Sequence, residues 1–147
     1  MAKKKCTIYT DGSSLTNPGV GGFGTVIKYN KSKEKIITGG EDHTTNNRME
    51  LKAVIEGLKH LTPGYEVEVV SDSQYVVNGM NEWVDNWEKK NFDGVKNPDL
   101  WQEYLEVRSK HENIQATWVK GHNGHPENER CDQLAREAAE KIKNNDG

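Results

Sequence analysis

The sequence is poor in cysteine, has no long apolar run and carries no excess of positive charge. Its only cysteines are Cys6 and Cys131, too few for a disulfide framework or a four-cysteine zinc site. No stretch approaches the roughly 18 consecutive apolar residues of a membrane-spanning helix, so no membrane partner is expected. The segment Met1–Tyr9 has lysines but no apolar centre, so a secretory signal is not expected either. A reducing cytoplasm is the expected location. The net charge of −3 argues against binding nucleic acid by bulk charge alone. It leaves room for local basic patches and for acidic side chains gathered around a metal. No internal repeat or low-complexity run is present.

What is there fits one folded domain. The 147 residues are enough to bury about two-thirds of the unfolded surface without staples or partners, so a single domain over 1–147, and a monomer, are expected. Apolar residues are 33% and charged residues 29%, and the apolar ones are clustered, as in a folded chain rather than a disordered one. The tail 143–147 is expected to fray.

Strand signals come first: Lys5–Thr10, Gly22–Tyr29 and Glu34–Gly40, the last two joined by a turn at Asn30–Lys33. Leu51, Val54, Ile55, Leu58 and Leu61 recur at helical spacing until Thr62-Pro63-Gly64 stops them. Tyr65–Ser71 alternates like a strand and ends at Asp72. Ser73–Met80 and Trp83–Lys90 read as two short helices and Asn91–Asn97 as a loop. Pro98–Lys110 reads as a helix, with Pro98 suited to its first turn. Ile114–Val119 follows as a strand with Trp118 in the core, then a loop over Gly121–His125 and a helix over Pro126–Lys143. Three consecutive strands followed by alternating helices and strands predict an α/β fold whose sheet mixes antiparallel and parallel pairs. The helix between the first and fourth strands lets these lie parallel and adjacent, with Asp11 and Asp72 just past their carboxyl ends, where open sheets bind ligands.

Four acids can reach such a crevice: Asp11 and Asp72 from strand ends, Glu50 and Asp132 from the edges of two apolar helix stripes. Four carboxylates do not gather for stability, since two charges about 4 Å apart cost ~4 kcal/mol at an effective dielectric near 20. A cation must offset them, or some must hold protons. All-oxygen ligation suits Mg²⁺ or Mn²⁺, and two such ions suit in-line phosphodiester displacement. Against this, Asp-Gly after a strand is often only a turn, and an acid at a helix edge is commonly a solvated one.

Longer motifs add a resemblance. Tyr9-Thr-Asp-Gly-Ser-Ser-Leu-Thr-Asn-Pro-Gly19, Thr44-Thr-Asn-Asn-Arg-Met-Glu-Leu51, Ser71-Asp-Ser-Gln-Tyr-Val76 and the block from Trp118 through Gly-His-Asn-Gly-His-Pro-Glu-Asn-Glu-Arg-Cys-Asp to Ala135 resemble ribonuclease H in its bacterial type I form. The blocks occur in the family's order and cover nearly the whole chain. The resemblance implies the ribonuclease H-like fold, a five-stranded mixed sheet of three antiparallel strands and parallel additions, flanked by helices. It implies hydrolysis of the RNA strand of an RNA–DNA hybrid by two-metal attack of water, leaving 3′-hydroxyl and 5′-phosphate ends. Asp11, Glu50, Asp72 and Asp132 match the family's metal ligands, His122 its mobile catalytic histidine and Glu129 an accessory acid. The implied cofactor is Mg²⁺, two ions with substrate, with Mn²⁺ as a substitute.

Substrate contacts are implied in the same way. Asn17, Asn46, Asn47 and Gln74 match residues that read the minor groove, and the backbone at Gly12 and Ser13 matches contacts to RNA 2′-hydroxyls. Thr45 and Asn97 match part of a pocket for a DNA-strand phosphate. Trp83 lies in a region that is a basic protrusion, or handle, in the family. The 2′-hydroxyl is the group that separates RNA from DNA, and a phosphate pocket adds a test of shape. From Trp83 to Trp101, Lys89, Lys90 and Lys96 meet Asp85, Glu88, Asp93 and Asp99, a net −1, which predicts a weak electrostatic grip.

Rival readings have less behind them. Gly19-Val-Gly-Gly-Phe-Gly24 fits a dinucleotide fingerprint, but that motif must open a helix and here a strand follows. Its glycines suit a turn and close backbone approach instead. Glycines flanking His122 suit a mobile acid or base titrating near neutrality, whereas His125, before Pro126, suits a structural role. A same-fold DNA-processing nuclease and a non-catalytic hybrid-binding module are the alternatives. The complete acid set disfavours the second, and the Thr44 and Trp118 blocks disfavour the first.

Overall fold

The computed structural model describes residues 4–16, 18–121 and 125–146. Three strands open the chain, β1 (Lys4–Ser14), β2 (Gly19–Lys28) and β3 (Glu34–Thr44), followed by α1 (Asn46–Lys59) and β4 (Tyr65–Ser71). Next come α2 (Gln74–Asn78), a π-helical turn at Gly79–Trp83, α3 (Val84–Lys89), α4 (Pro98–Arg108), β5 (Asn113–Trp118) and α5 (Pro126–Asp146). The five strands order as β3-β2-β1-β4-β5. The first three pair antiparallel, and β4 joins β1, and β5 joins β4, in parallel, as the strand and helix alternation requires.

The two faces of the sheet are covered differently. On β2, Gly22 and Gly24 lie against α5: an added Cβ would meet Ala135 O at 2.4 Å and Cys131 O at 2.7 Å. The alternate residue Thr25 points the other way, and its hydroxyl donates to Ala53 O of α1 at 2.7 Å. The glycine run is therefore a seat for α5. On the α1 side, Ile8, Ile27 and Val69 from the sheet meet Leu51, Val54, Ile55 and Leu58 from α1, with Trp101 and Tyr104 of α4 buried beyond them. Each fully buried side chain of this kind contributes roughly 1.5–3 kcal/mol over its exposed state.

Several boundaries differ from the periodicity. β1 runs on past Thr10 because its ladder with β2 continues from Thr7↔Lys28 to Ser14↔Gly21. Asp11 therefore sits within a strand, and the chain reverses only after Ser14, where Leu15 N–H donates to Val20 O at 2.8 Å. α1 begins at Asn46, with the Thr45 hydroxyl accepting from Arg48 N–H as its N-cap at 3.2 Å. Glu50 consequently lies one turn in from the helix start. The two helices expected over 73–90 are joined through the π turn. In that turn the Asn81 amide donates to Ala116 O at 2.8 Å and accepts from Ala116 N–H at 3.1 Å, against the outer edge of β5. Trp118 is not core, contrary to expectation. It ends the edge strand β5, has a sheet neighbour on one side only, and is 44% exposed. α5 continues to Asp146, beyond Lys143. Asn91 and Phe92 both have positive φ, 55° and 59°, which folds the handle tip back so that Phe92 is buried in the main core.

Candidate active site

The centre of the site is a close approach of β1 to α1. At Gly12 an added Cβ would fall 2.3 Å from Met49 C and 2.4 Å from Glu50 N; any side chain there would push strand and helix apart. With glycine, Asp11 and Glu50 meet and hydrogen-bond to each other, and Gly12 N–H donates to Asp11 Oδ1 at 2.9 Å. Asp72 enters from the bend after β4. Asp11, Glu50 and Asp72 each present a carboxylate oxygen within 4.8 Å of the others.

Burial dominates the electrostatics. It pushes the Asp11 carboxyl up to about 7; the charges of Asp72 and Asp132 add to the rise, while hydrogen bonds from Glu50 and Gly12 oppose it. Glu50 is raised well above the usual carboxylate range, first by burial and then by the charge of Asp11. The pair thus keeps hold of protons at neutral pH when nothing else neutralises it. Glu50 Oε2 is buried with no hydrogen-bond partner. A ligand atom without a donor, in a cluster of hard oxygens, fits a divalent cation.

The other expected acids stand further out. Asp132, half-buried on α5, is near enough to raise Asp11, but its carboxylate pairs with Arg136 at 3.1 Å and lies outside the three-acid cluster. Glu129 is exposed one turn earlier on α5. His125 supplies its carbonyl to Glu129 N–H at 3.0 Å, opening α5. Asn17 and His122 lie outside the described residues.

The described substrate residues come from several elements. The main chain of Gly12 and Ser13 is next to Asp11 in β1. Asn46 Oδ1 accepts from Ser14 N–H at 2.7 Å, fixing the end of β1 to the start of α1. Asn47 and Gln74 are exposed at the first turns of α1 and α2. Trp83 is 39% exposed and tilts against Trp87 with ring centroids 5.8 Å apart.

Thr45 and Asn97 gather around a residue that the motif reading passed over. Arg48 donates to Asn97 Oδ1 at 3.1 Å and pairs bidentately with Asp99 at 3.0 and 2.7 Å. Asn97 adopts the left-handed conformation (φ 56°), and its amide donates to the Tyr75 hydroxyl, which also accepts from Trp101 Nε1 at 2.9 Å. Arg48 stands inside the Thr-Asn-Asn-Arg-Met-Glu block; being a basic side chain three residues after the cap Thr45, on the same helix face, was the available signal. Arg108 likewise pairs with Asp85 at 2.9 Å. Two of the four acids between Trp83 and Trp101 are thus matched by arginines from α1 and α4, partners that a count of charge within the segment leaves out.

Comparison with known proteins adds an independent line. The family model for RNase H matches residues 3–140. The ribonuclease H of Sulfurovum sp. is 56% identical over 143 residues, covering 97% of this chain and 96% of that protein. Ribonuclease HI of Helicobacter pylori is 58% identical over 137 residues, covering 92% and 94%. Among solved structures, LC9-RNase H1, described as a type 1 RNase H with the type 2 active-site motif, superposes with a TM-score of 0.86 at 32% identity, covering 96% of this chain and 74% of its own. LC11-RNase H1, solved in complex with an RNA/DNA hybrid, gives 0.71 at 28% identity, covering 93% and 98%.

Proposed function

The chain belongs to the ribonuclease H family, and from that membership we propose that it hydrolyses the RNA strand of RNA–DNA hybrids, leaving 3′-hydroxyl and 5′-phosphate ends. The observation that carries the reading is the three-acid cluster, with oxygens within 4.8 Å of one another and Glu50 Oε2 buried without a partner. The hybrid held by LC11-RNase H1 supports the substrate.

Asp11, Glu50 and Asp72 would hold the divalent ion, with Asp132 adding charge from α5. When bound, Mg²⁺ ions, or Mn²⁺ in their place, supply a polarised water and charge stabilisation at the leaving oxygen. The chain's own part begins with protons, because Asp11 and Glu50 must release theirs before they can act as ligands. His122 is assigned to proton transfer or product release and Glu129 to an accessory acid role. The main chain at Gly12 and Ser13 is assigned to RNA 2′-hydroxyls, and Asn17, Asn46, Asn47 and Gln74 to the minor groove. Thr45 and Asn97, with Arg48 between them, suit a DNA-strand phosphate, and Trp83 suits stacking on the hybrid.

We place the chain, as a monomer, in the cytoplasm, a reducing location that fits the two buried free thiols, Cys6 and Cys131; among the described residues no helix is long and apolar enough to cross a membrane. The test is to incubate a labelled hybrid, duplex RNA and duplex DNA with the protein, in Mg²⁺ or in EDTA. Only the RNA of the hybrid should be cut, and only with the ion. Equal cutting of duplex DNA would favour a DNA-processing nuclease, and binding without cutting would favour a hybrid-binding module.

A further inference from the structure

Of the three clustered carboxylates, two are fixed by regular structure. Asp11 is paired with Gly24 inside the β1–β2 ladder, and Glu50 stands within α1. Asp72 belongs to neither a strand nor a helix. Before it, Ser71 O ends the sheet by accepting from Val119 N–H at 2.9 Å; after it, Ser73 O begins α2 by accepting from Val77 N–H at 3.0 Å. The Asp72 carbonyl falls between these two ladders, and the peptide plane it belongs to helps set the direction of the Asp72 side chain. That carbonyl is taken by Trp118, whose indole Nε1–H donates to it at 3.0 Å.

Trp118 is otherwise hard to account for. A large aromatic that is 44% exposed gives up much of the burial that normally justifies tryptophan, and its single side-chain donor is spent on this one oxygen. The same stretch of chain also passes close to the carboxylate, since a Cβ added at Gly121 would lie 3.0 Å from Asp72 Oδ2. Asp72 is therefore held at its main chain by Trp118 and flanked at its carboxylate by Gly121.

We propose that Trp118 is a positioning residue that sets Asp72 for metal binding through this indole–carbonyl hydrogen bond. The inference rests on the reading of Asp72 as a metal ligand. It gives a function to a residue whose place in the core the structure rules out. Hydrogen-bond partners that orient metal ligands typically matter ~10–100-fold in metal affinity or activity, and a partner acting through the main chain belongs near the lower end.

The test replaces Trp118 with its benzothiophene isostere, which keeps the ring outline and lacks the N–H, beside Trp118→Phe and a 5-fluorotryptophan control that keeps the N–H. Mn²⁺ binding is measured by calorimetry without substrate, and kcat and KM for the hybrid are measured across a Mg²⁺ titration. Loss of the N–H should weaken Mn²⁺ binding ~10-fold and raise the Mg²⁺ needed for half-maximal activity similarly. KM for the hybrid should stay within about twofold, and the fluorinated control should match the native protein. Unchanged metal affinity in the isostere would overturn the proposal, as would a rise in KM alone, which would make Trp118 a substrate contact. Loss of fold in both N–H-lacking variants would overturn it too, by making the role structural. A native protein that binds Mn²⁺ but leaves the hybrid intact would overturn the hydrolase reading alone, because the calorimetry still decides the role of Trp118.

Discussion

The carboxylate crevice and the handle both concentrate acidic side chains, and they treat them in opposite ways. In the crevice, Asp11, Glu50 and Asp72 face one another, and burial and mutual repulsion raise the two innermost above their ordinary range. In the handle and the turn after it, Asp85 and Asp99 each meet an arginine from outside the segment, and the Arg48 pair lowers Asp99. The handle segment also holds Lys89, Lys90 and Lys96. Like charges left facing each other mark a place prepared for a cation, whereas acids with fixed partners shape a surface without making it repulsive. Net charge within a segment does not distinguish the two cases.

The comparison breaks most sharply at Asp72. Asp72→Asn should lower hybrid cleavage at least ~100-fold by removing a metal ligand, while the metal-free fold survives and does not lose stability, because repulsion is relieved. Kinetics with Mg²⁺ and a thermal melt in EDTA check both halves; near-native activity would remove Asp72 from the site.

Next in size is a pH effect. Asp11 and Glu50 have folded-state pKa values above their unfolded values near 4, so the metal-free folded chain holds protons that the unfolded chain has released. Stability should therefore be unpenalised below about pH 4, fall as pH rises towards and through about 7, the Asp11 value, and continue to fall where Glu50 titrates. Urea midpoints in EDTA at pH 4 and pH 8 should show this loss, and Glu50→Gln should reduce it. A native midpoint that does not move with pH would mean that the crevice is not repulsive.

Smaller effects are expected at the handle. Asp99→Asn releases Arg48 beside Thr45 and Asn97, and one more phosphate contact should lower KM several-fold and steepen its dependence on log salt by roughly 0.9. No change in either would keep Arg48 away from the substrate. Smallest is the pair Asp85→Lys and Asp93→Lys. Each reversal changes the local charge by the same amount, and the first also frees Arg108 from an exposed contact worth about 0–1 kcal/mol, so the double variant should lower KM modestly at low salt. An unchanged KM at low salt would show that the handle does not approach the hybrid.

Much of this site was legible because chemistry restricts it. Asp11-Gly12, Glu50 and Asp72 are the residue types that metal ligation and a strand–helix contact demand, and three of the four acids proposed from sequence converge within 4.8 Å. The parallel adjacency of β1 and β4 was legible too, since a helix between them leaves few other arrangements. Long-range pairing was not. Arg48 meets Asp99 across 51 positions and Arg108 meets Asp85 across 23, and neither contact leaves a trace in local periodicity. Trp118 was misplaced because alternation reports which face a residue occupies, not whether anything covers that face at the end of an edge strand.

The amide of Asn81 has a consequence of a different kind. An open strand edge invites pairing with another chain, and proteins blunt it with charges, bulges or a covering element. On the β5 side, Asn81 occupies the N–H and the carbonyl of Ala116 at once, as a neighbouring strand would, though it belongs to a π turn. On the far side, β3 carries Glu34 and Lys35 at one end and Glu41 and Asp42 towards the other. On one margin of the sheet a side chain thus does at Ala116 what a strand would do, and on the other, charges stand at both ends of the edge strand.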